Sequence, residues 1–220
     1  MDYKRLQNQL NYKFKNIQLL ELALTHKSFS SIQNNERLEF LGDSILNSII
    51  SEYLFNRFTN QKEGLLTRMR AYLVKADTLV IKAEEFVLSD YIKLSKGTAN
   101  LSKDRKNSIL EDAFEAIIGA IFIDGGWDQV RDTTLNIFNK NLLALSEDMS
   151  FKDAKTELQE LLQSMKHDLP KYMIDDLEKG QFSCVIDFQG ITFESVGPSK
   201  RVAETNVAMK VLAHIKELHE

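Results

Sequence analysis

Apolar residues recur with the period of an α-helix through the first two thirds of this 220-residue chain. Spacings of i, i+3 and i+4 indicate buried helix faces, whereas strands would show strict alternation. The pattern covers residues 17–24, 35–49, 53–58, 73–87, 109–123 and 133–145. No convincing run of strands lies between these segments. Residues 1–147 are therefore predicted to form one all-α domain.

The pattern changes after residue 149. Residues 153–165 read as an amphipathic helix, and residues 200–214 read as a second one. Between them, alternating apolar positions and the turn residues Lys179-Gly180 and Gly190 indicate three strands, at 172–178, 181–189 and 191–196. The order α-β-β-β-α predicts a small α+β domain at residues 151–220.

Two carboxylates interrupt the otherwise apolar segment 109–123. Asp112 and Glu115 are three residues apart, so they share one face of the predicted helix. A helix that is apolar nearly all round is buried, and a carboxylate on it is costly unless a positive group neutralises it. No Lys or Arg lies in this segment. Either the acids line a solvated face, or they bind a divalent cation, for which oxygen ligands favour Mg²⁺ or Mn²⁺.

Segment 35–49 carries a second row of acids. Glu36, Glu39 and Asp43 share a face at i, i+3 and i+7, roughly opposite an apolar stripe. Taken alone, this row fits an ordinary solvated face as well as it fits a functional site. Asn47 lies one turn beyond Asp43 on the same face and is a candidate for orienting a water molecule.

Composition narrows the class of protein. The net charge of −4 argues mildly against a nucleic-acid partner, although local clusters such as Lys200-Arg201 matter more than the sum. The N-terminus lacks an apolar signal sequence, and no apolar run reaches the ~18 residues of a membrane helix. The single Cys184 is expected to be a core thiol. We therefore expect a cytoplasmic protein with no membrane association.

Residues 35–46, NERLEFLGDSIL, resemble the signature sequence of the ribonuclease III family. Further motifs follow the order of that family, at residues 24–28 (LTHKS), 63–71 (EGLLTRMRA) and 109–126. The chain after residue 150 resembles a double-stranded RNA-binding domain. The resemblance covers the whole chain and implies a helical nuclease domain followed by an RNA-binding domain.

The resemblance also implies a site and a chemistry. It makes Glu39, Asp43, Asp112 and Glu115 the metal-binding acids, with Asp43 and Glu115 catalytic as well. Glu36 and Glu63 match two further acidic positions, for which outer-shell ligation, water orientation and dimer contacts remain open. The cofactor implied is Mg²⁺, with Mn²⁺ as a substitute, and no organic cofactor is expected. Bound metal would activate water and stabilise charge on the scissile phosphate.

The family resemblance implies a homodimer with two metal centres, each cutting one strand of a duplex. The products implied are 5′-phosphate and 3′-hydroxyl ends with a short 3′ overhang. Segment 35–49 carries more apolar residues than one buried helix face requires, and they are Leu38, Phe40, Leu41 and Ile45. They lie either in such a dimer interface or in the core of the monomer.

The C-terminal domain offers two groups of candidate RNA contacts. Its first helix carries short polar side chains suited to 2′-hydroxyl groups, and the start of its second helix suits phosphates. The residues are Thr156, Gln159, Glu160 and Gln163, followed by Ser199, Lys200 and Arg201. The chain departs from the family between the first two strands, where a longer loop with a histidine is replaced by Glu178 to Gln181. We expect weaker RNA binding for this reason.

These observations predict a metal-dependent endoribonuclease specific for double-stranded RNA. Kinship alone indicates a role in processing ribosomal RNA and mRNA precursors. One alternative is a catalytically silent, regulatory double-stranded RNA-binding protein, which the presence of all six acids disfavours. The other is an unrelated all-α metal hydrolase of small phosphate esters, which the strand-rich C-terminal domain disfavours.

Overall fold

The computed structural model describes residues 2–146, 154–178 and 180–218, without the side chains of residues 99 and 100. The chain divides into two compact units, Met1–Met149 and Ser150–Glu220. In its described residues the first unit is helical, as predicted. Its helices are α1 (Lys4–Leu10), α2 (Ile17–Ala23), α3 (Glu36–Arg57), α4 (Glu63–Leu73), α5 (Ala76–Glu85) and α6 (Lys103–Ala144), with 3₁₀ turns at Leu88–Asp90 and Lys96–Asn100.

Helices α3 and α6 form the centre of the first unit. The segment Ile109 to Ile121 of α6 is buried on most sides, as its apolar sequence predicts. Gly126 interrupts α6 with φ 80° and ψ −175°, a conformation that favours glycine. The two predicted segments, 109–123 and 133–145, are therefore the two arms of one kinked helix.

Asp124 ties α6 to the start of the chain just before this kink. Its carboxylate accepts hydrogen bonds from the Tyr12 hydroxyl (2.7 Å) and from the backbone N–H groups of Lys15 and Asn16 (2.8 Å each). Burial alone would raise the pKa of Asp124, but these three hydrogen bonds outweigh it and lower the pKa below its usual 3.8. The carboxylate thus joins the first two helices to the central one.

Replacing Asp124 by Asn should lower the stability of the first unit by about 1–3 kcal/mol at neutral pH, because the amide group cannot accept all three hydrogen bonds. Since the pKa is lowered in the folded chain, the ionised carboxylate stabilises the fold in full above pH 3.8. This stabilisation is lost as the pH falls below that value. The difference in melting temperature between the wild type and the variant should stay constant from pH 7 to pH 5 and shrink towards pH 3. A constant difference down to pH 3 would contradict this account.

The far ends of α3 and α6 are joined by Arg57. Its guanidinium donates hydrogen bonds to the carbonyl oxygens of Leu142, in the last turn of α6, and of Leu145, the residue that caps this helix. The same group packs over the ring of Phe58, 5.1 Å from its centroid. The C-terminal ends of α3 and α6 are thus held together by one side chain.

The second unit contains α7 (Ala154–Ser164), the strands β1 (Met173–Leu177), β2 (Gln181–Phe188) and β3 (Ile191–Gly197), and α8 (Lys200–Glu217). The sheet is antiparallel in the order β1-β2-β3. One face of the sheet packs on α7 and α8, with Cys184, Ile186 and Phe188 in the core. The predicted α-β-β-β-α order and the buried thiol are confirmed. The proposed domain limits at 147 and 151, and Lys179 of the predicted turn, lie outside the described residues.

No helix among the described residues combines the length and apolar character needed to cross a bilayer.

Candidate metal centre and RNA-binding surface

Helices α3 and α6 touch backbone to backbone where they carry the acids. A methyl group on Gly42 would overlap the carbonyl oxygen of Glu115, and one on Gly119 would overlap the carbonyl oxygen of Leu38. Both glycines are buried. Gly42 follows Glu39 by three residues, and Gly119 follows Glu115 by four. The two glycines therefore let the acid-bearing turns of the two helices approach each other.

This contact brings four of the predicted acids together. Glu115 interacts electrostatically with Asp43 and Glu39 on α3 and with Asp112 on its own helix. Glu39 and Asp112 also interact with each other across the helix pair. Glu39, Asp112 and Glu115 are half-buried, whereas Asp43 is exposed. We call Glu39, Asp43, Asp112 and Glu115 the acid cluster.

The charges of the acid cluster are poorly compensated. Burial, followed by the carboxylates of Asp43, Glu111, Glu39 and Asp112, raises the pKa of Glu115 to about 8. Burial, with smaller effects of neighbouring charges, also raises the pKa values of Glu39 and Asp112. Among the described residues, no Lys or Arg forms an ion pair with any member of the cluster. Such a set of oxygen donors fits a divalent cation.

The acids are near one another, but they do not form a ready-made coordination sphere. In the part of the chain that the structure describes, no three His, Cys, Asp or Glu side chains lie close enough together to hold a metal ion as they stand. A cation held by all four acids would therefore need their carboxylate side chains to rotate towards one another.

Two neighbours hold the acids of α3 in place. The Asn47 side-chain amide donates to Asp43 Oδ1 at 2.7 Å and so fixes the carboxylate one turn before it. Lys27 Nζ lies 3.0 Å from Glu36 Oε1, and both side chains are exposed. This ion pair lowers the pKa of Glu36, chiefly through the hydrogen bond from Lys27. Glu36 thus stands at the edge of the acid cluster with a partner of its own.

Glu63 is not brought to the acid cluster within one chain. It is the first residue of α4, is exposed, and accepts a hydrogen bond from Thr67 Oγ1 at 2.8 Å. It lines a cavity of about 550 Å³ between α3 and α4. The cavity wall consists of Ser51, Glu52, Leu54, Phe55, Gln61, Glu63, Leu66, Thr67 and Arg70.

The predicted interface residues of α3 separate into two kinds. Leu38 is buried in the core of the monomer, and Leu41 and Ile45 are half-buried. Phe40 leaves 79% of its surface exposed, although it lies between Glu39 and Leu41. Phe40 is thus the most exposed of the four predicted interface residues and lies on the protein surface.

The candidate RNA contacts lie on the surface of the second unit. The four predicted residues of α7, which are Thr156, Gln159, Glu160 and Gln163, are all exposed. Lys200 and Arg201 are exposed in the first turn of α8. Ser199 caps that helix, with its hydroxyl oxygen accepting from the Val202 N–H at 3.3 Å. The strands β1 and β2 are joined by a turn too short to reach far from the sheet.

Comparison with known proteins places this architecture. Residues 16–142 match the family model "Ribonuclease-III-like", and residues 154–215 match "Double-stranded RNA binding motif". The chain is 46% identical to "Ribonuclease 3" of Marinomonas sp. (strain MWYL1) over 98% of this chain and 97% of that protein. It is 43% identical to "Ribonuclease 3" of Alcanivorax borkumensis over 100% and 99% of the two chains.

This chain belongs to the ribonuclease III family. A crystal structure of the nuclease domain of ribonuclease III from Campylobacter jejuni, at 2.2 Å resolution, matches with a TM-score of 0.62 and 41% identity, covering 66% of this chain and 99% of that one. A second structure of that domain, described for flexibility in a region involved in dimer formation, matches with a TM-score of 0.61 and 43% identity, over 64% and 98% of the two chains. The predicted class, an endoribonuclease specific for double-stranded RNA, is confirmed at the level of the family.

Reasoning from the sequence missed several residues that interact with the acid cluster. Glu111 is half-buried beside the cluster, and His26 and Lys27 interact with Asp112. The positions of Gly42 and Gly119, one turn from the acids on each helix, were the available signal for the close contact of α3 and α6. The LTHKS motif was noted only as a resemblance, and its place beside the acids depends on the tertiary fold.

Proposed function

We propose that this member of the ribonuclease III family is a metal-dependent endoribonuclease that hydrolyses the phosphodiester bonds of duplex RNA at the acid cluster. The observation that carries the proposal is the meeting of two acid-bearing helix faces at Gly42 and Gly119 without an ion pair to the cluster among the described residues. Glu39, Asp43, Asp112 and Glu115 would hold Mg²⁺ or, as a substitute, Mn²⁺. The products are 5′-phosphate and 3′-hydroxyl ends.

The bound metal would supply an activated water and stabilise charge on the scissile phosphate. The chain's own residues prepare this site. Asn47 holds the Asp43 carboxylate through a 2.7 Å hydrogen bond, which limits its rotation. Burial and the neighbouring carboxylates raise the pKa of Glu115 to about 8, so a cation at the cluster would compete with a proton there. Glu36, held by Lys27, is placed to orient water at the edge of the cluster.

A gel assay of equal amounts of duplex and single-stranded RNA, with Mg²⁺ or with chelator, tests the reaction directly. We expect cleavage of the duplex in Mg²⁺ only, and little cleavage of the single strand. Cleavage of both substrates, or cleavage in chelator, would contradict the proposal. The proposed setting is cytoplasmic processing of ribosomal RNA and mRNA precursors.

Metal binding should also be visible without RNA. A cation relieves repulsion among the acids and binds only the folded chain, so Mg²⁺ should raise the melting temperature relative to chelator. Since the pKa of Glu115 is raised to about 8, protons compete with the cation below that pH, and the rise should grow between pH 6 and pH 8. Glu39→Ala with Asp112→Ala should shrink the rise. An equal rise in the double variant would place the metal elsewhere.

The proposed enzyme is a homodimer joined along α3. Phe40 and the cavity around Ser51 to Phe55 lie 11–15 residues apart on this helix, which is about 16–22 Å at 1.5 Å per residue. In a two-fold interface, residue i of one subunit meets residue j of the other, and j meets i. Antiparallel pairing of two α3 helices would therefore place each Phe40 at the other subunit's cavity.

This pairing gives Glu63 a place in the site. The cavity that would receive Phe40 is lined by Glu63, and Phe40 is flanked in sequence by Glu39 and lies three residues before Asp43. Each acid cluster would then lie beside Glu63 of the partner subunit. Glu63 is remote from the acid cluster of its own chain, but it would act at the metal site of the partner subunit. There it would accept hydrogen bonds from water molecules bound to the metal.

The second unit is proposed to hold the duplex through α7 and the start of α8. Lys200 and Arg201 bring two cations to a helix N-terminus, where free N–H groups also attract phosphate. Thr156, Gln159, Glu160 and Gln163 would contact 2′-hydroxyl groups across a minor groove. The Ser199 hydroxyl oxygen accepts from the Val202 N–H, and its own O–H would donate to a phosphate.

Replacing both Lys200 and Arg201 by Ala should weaken the binding of duplex RNA. The slope of log affinity against log salt concentration should also become less steep, by about two, because two fewer phosphates are neutralised. The matched control is Lys210→Ala with Lys216→Ala, on the later turns of the same helix. Lys210 donates to the carbonyl oxygen of Glu194, and Lys216 pairs with Glu157. An unchanged slope in the first variant, or an equal change in the control, would remove Lys200 and Arg201 from the RNA surface.

A further inference from the structure

Lys27 is a cation at the rim of the acid cluster, and the proposed metal centre uses it only to hold Glu36. Its ammonium lies 3.0 Å from Glu36 Oε1. Its charge also acts on Glu39 and Asp112, and in both it favours the ionised carboxylate. Within the described part of the chain, Lys27 pairs with Glu36 and with no member of the acid cluster. Lys27 thus places a positive charge beside the cluster without occupying its carboxylates.

The backbone that carries Lys27 is held on both sides. Before it, the His26 N–H donates to the carbonyl oxygen of Lys93 at 3.2 Å. After it, the Ser28 hydroxyl oxygen accepts from the Ser95 N–H at 3.2 Å. The Cα atom of Lys27 is therefore fixed, and only rotation of its own side chain moves the ammonium. The cation stays within one side-chain length of its present place beside the acids.

The ion pair between Lys27 and Glu36 leaves room for a second anion. The two side chains are 60% and 50% exposed, and exposed ion pairs contribute little to stability. An ammonium group has three N–H donors, and the hydrogen bond to Glu36 Oε1 uses one of them. An anion that approaches from solvent can therefore bind the ammonium while Glu36 remains in contact with it.

Duplex RNA is the anion that the proposed function brings to this place. A metal ion at the cluster would attract the scissile phosphate. The neighbouring phosphates of the same strand would face the carboxylates of the acid cluster and of Glu36, and like charges repel. A cation on the protein offsets this repulsion. Lysine suits such a position, because it binds phosphate as a point charge and needs no fixed bidentate geometry.

We propose that Lys27 binds a backbone phosphate of duplex RNA next to the scissile bond, in addition to the contacts proposed for α7 and α8. This inference rests on the proposed function, because it requires that the duplex is cut at the acid cluster. The contact exists before cleavage and throughout it. Lys27 therefore strengthens the binding of the duplex equally in the ground state and in the transition state, and it takes no part in the chemical step.

The first test is cleavage of duplex RNA at saturating Mg²⁺ across a salt series, by the wild type and by Lys27→Met. Loss of one phosphate contact lowers affinity by about 10-fold at about 0.1 M salt. Lys27→Met should therefore raise KM by about 10-fold and leave kcat nearly unchanged. The slope of log(kcat/KM) against log salt concentration should become less steep by about one.

Two further variants serve as controls. Lys27→Arg keeps the positive charge and should retain a KM close to that of the wild type. Lys140→Met removes an exposed cation near the C-terminal end of α6 and should change neither KM nor the salt slope. Should Lys27→Met melt at a much lower temperature than the wild type, Lys27→Gln replaces it, with the same rise in KM expected.

A titration of RNA-free protein with Mg²⁺, followed by melting temperature, separates RNA binding from a role in the metal centre. Removing a positive charge beside a cation site favours the cation, so Lys27→Met should need no more Mg²⁺ than the wild type. A greater Mg²⁺ requirement, an unchanged KM and salt slope, or an equal rise of KM in Lys140→Met would overturn the inference and leave the metal centre in place. If the wild type neither responds to Mg²⁺ nor cuts duplex RNA, both proposals fail.

Discussion

Replacing Glu115 by Gln should reduce cleavage of duplex RNA by about 100-fold or more, because it weakens the binding of the cation that would stabilise charge on the scissile phosphate. The amide keeps the shape of the carboxyl group, so the contact of α3 with α6 should be preserved. Burial already favours the neutral form of Glu115, whose pKa is raised to about 8. In chelator at pH 8 and above, the variant should therefore melt at the wild-type temperature or higher.

The same variant should lose most of the Mg²⁺-dependent rise in melting temperature while binding duplex RNA through its second unit. Glu84→Gln is the matched control, since Glu84 is an exposed acid on α5 outside the acid cluster. It should retain both activity and the response to Mg²⁺. Wild-type cleavage by Glu115→Gln in millimolar Mg²⁺ would show that the metal assignment is wrong, whatever the stability of the variant.

Replacing Gly42 by Ala should both destabilise the first unit and reduce cleavage. The added methyl group would meet the backbone of Glu115 and the Gly119 nitrogen, at 2.6 Å from the Glu115 carbonyl carbon and 2.9 Å from that nitrogen. Backbone atoms cannot rotate away as a side chain can, so α3 and α6 must separate. Overpacking of this kind costs about 1–3 kcal/mol and occasionally more. Separation also moves Glu39 and Asp43 from Asp112 and Glu115, and cleavage should fall further than the stability alone explains.

Gly97→Ala provides the control for a glycine replacement, because a methyl group there meets nothing within 4 Å. It should leave the melting temperature and the cleavage rate near those of the wild type. The decisive comparison is cleavage at a temperature where Gly42→Ala is still fully folded. Wild-type stability and activity of Gly42→Ala would contradict the close backbone contact on which the metal centre depends.

The C-terminal strands illustrate how far the sequence carries a prediction. Alternating apolar positions and the glycines of the turns located β1, β2 and β3 to within a residue or two. Such patterns are local, because a strand with one buried face must alternate along its own length. Gly125-Gly126 predicted a turn between two helical segments, and the backbone does leave the helical conformation at Gly126, with φ 80° and ψ −175°.

The acids show where local reasoning ends. The sequence placed Asp112 and Glu115 on one helix face, and the family resemblance supplied the pairing with Glu39 and Asp43. Glu63 was grouped with them by resemblance alone, and within one chain it lies in a separate cavity between α3 and α4. In the proposed dimer, Glu63 would join the site of the partner subunit, and no pattern along a single chain describes such a contact.

The sequence by itself determined the helical and strand-rich halves of this protein, its family, and the rows of acids on α3 and α6, because each follows from the spacing of residues along one element. Only the tertiary structure showed that the acids of α3 meet those of α6, since Gly42 and Gly119 set how closely these two helices approach. It also decided that Glu111 stands beside Asp43 while Lys27 and His26 stand beside Asp112. Electrostatic interactions depend on distance in space, and residues far apart in the chain come close to one another only when the helices pack.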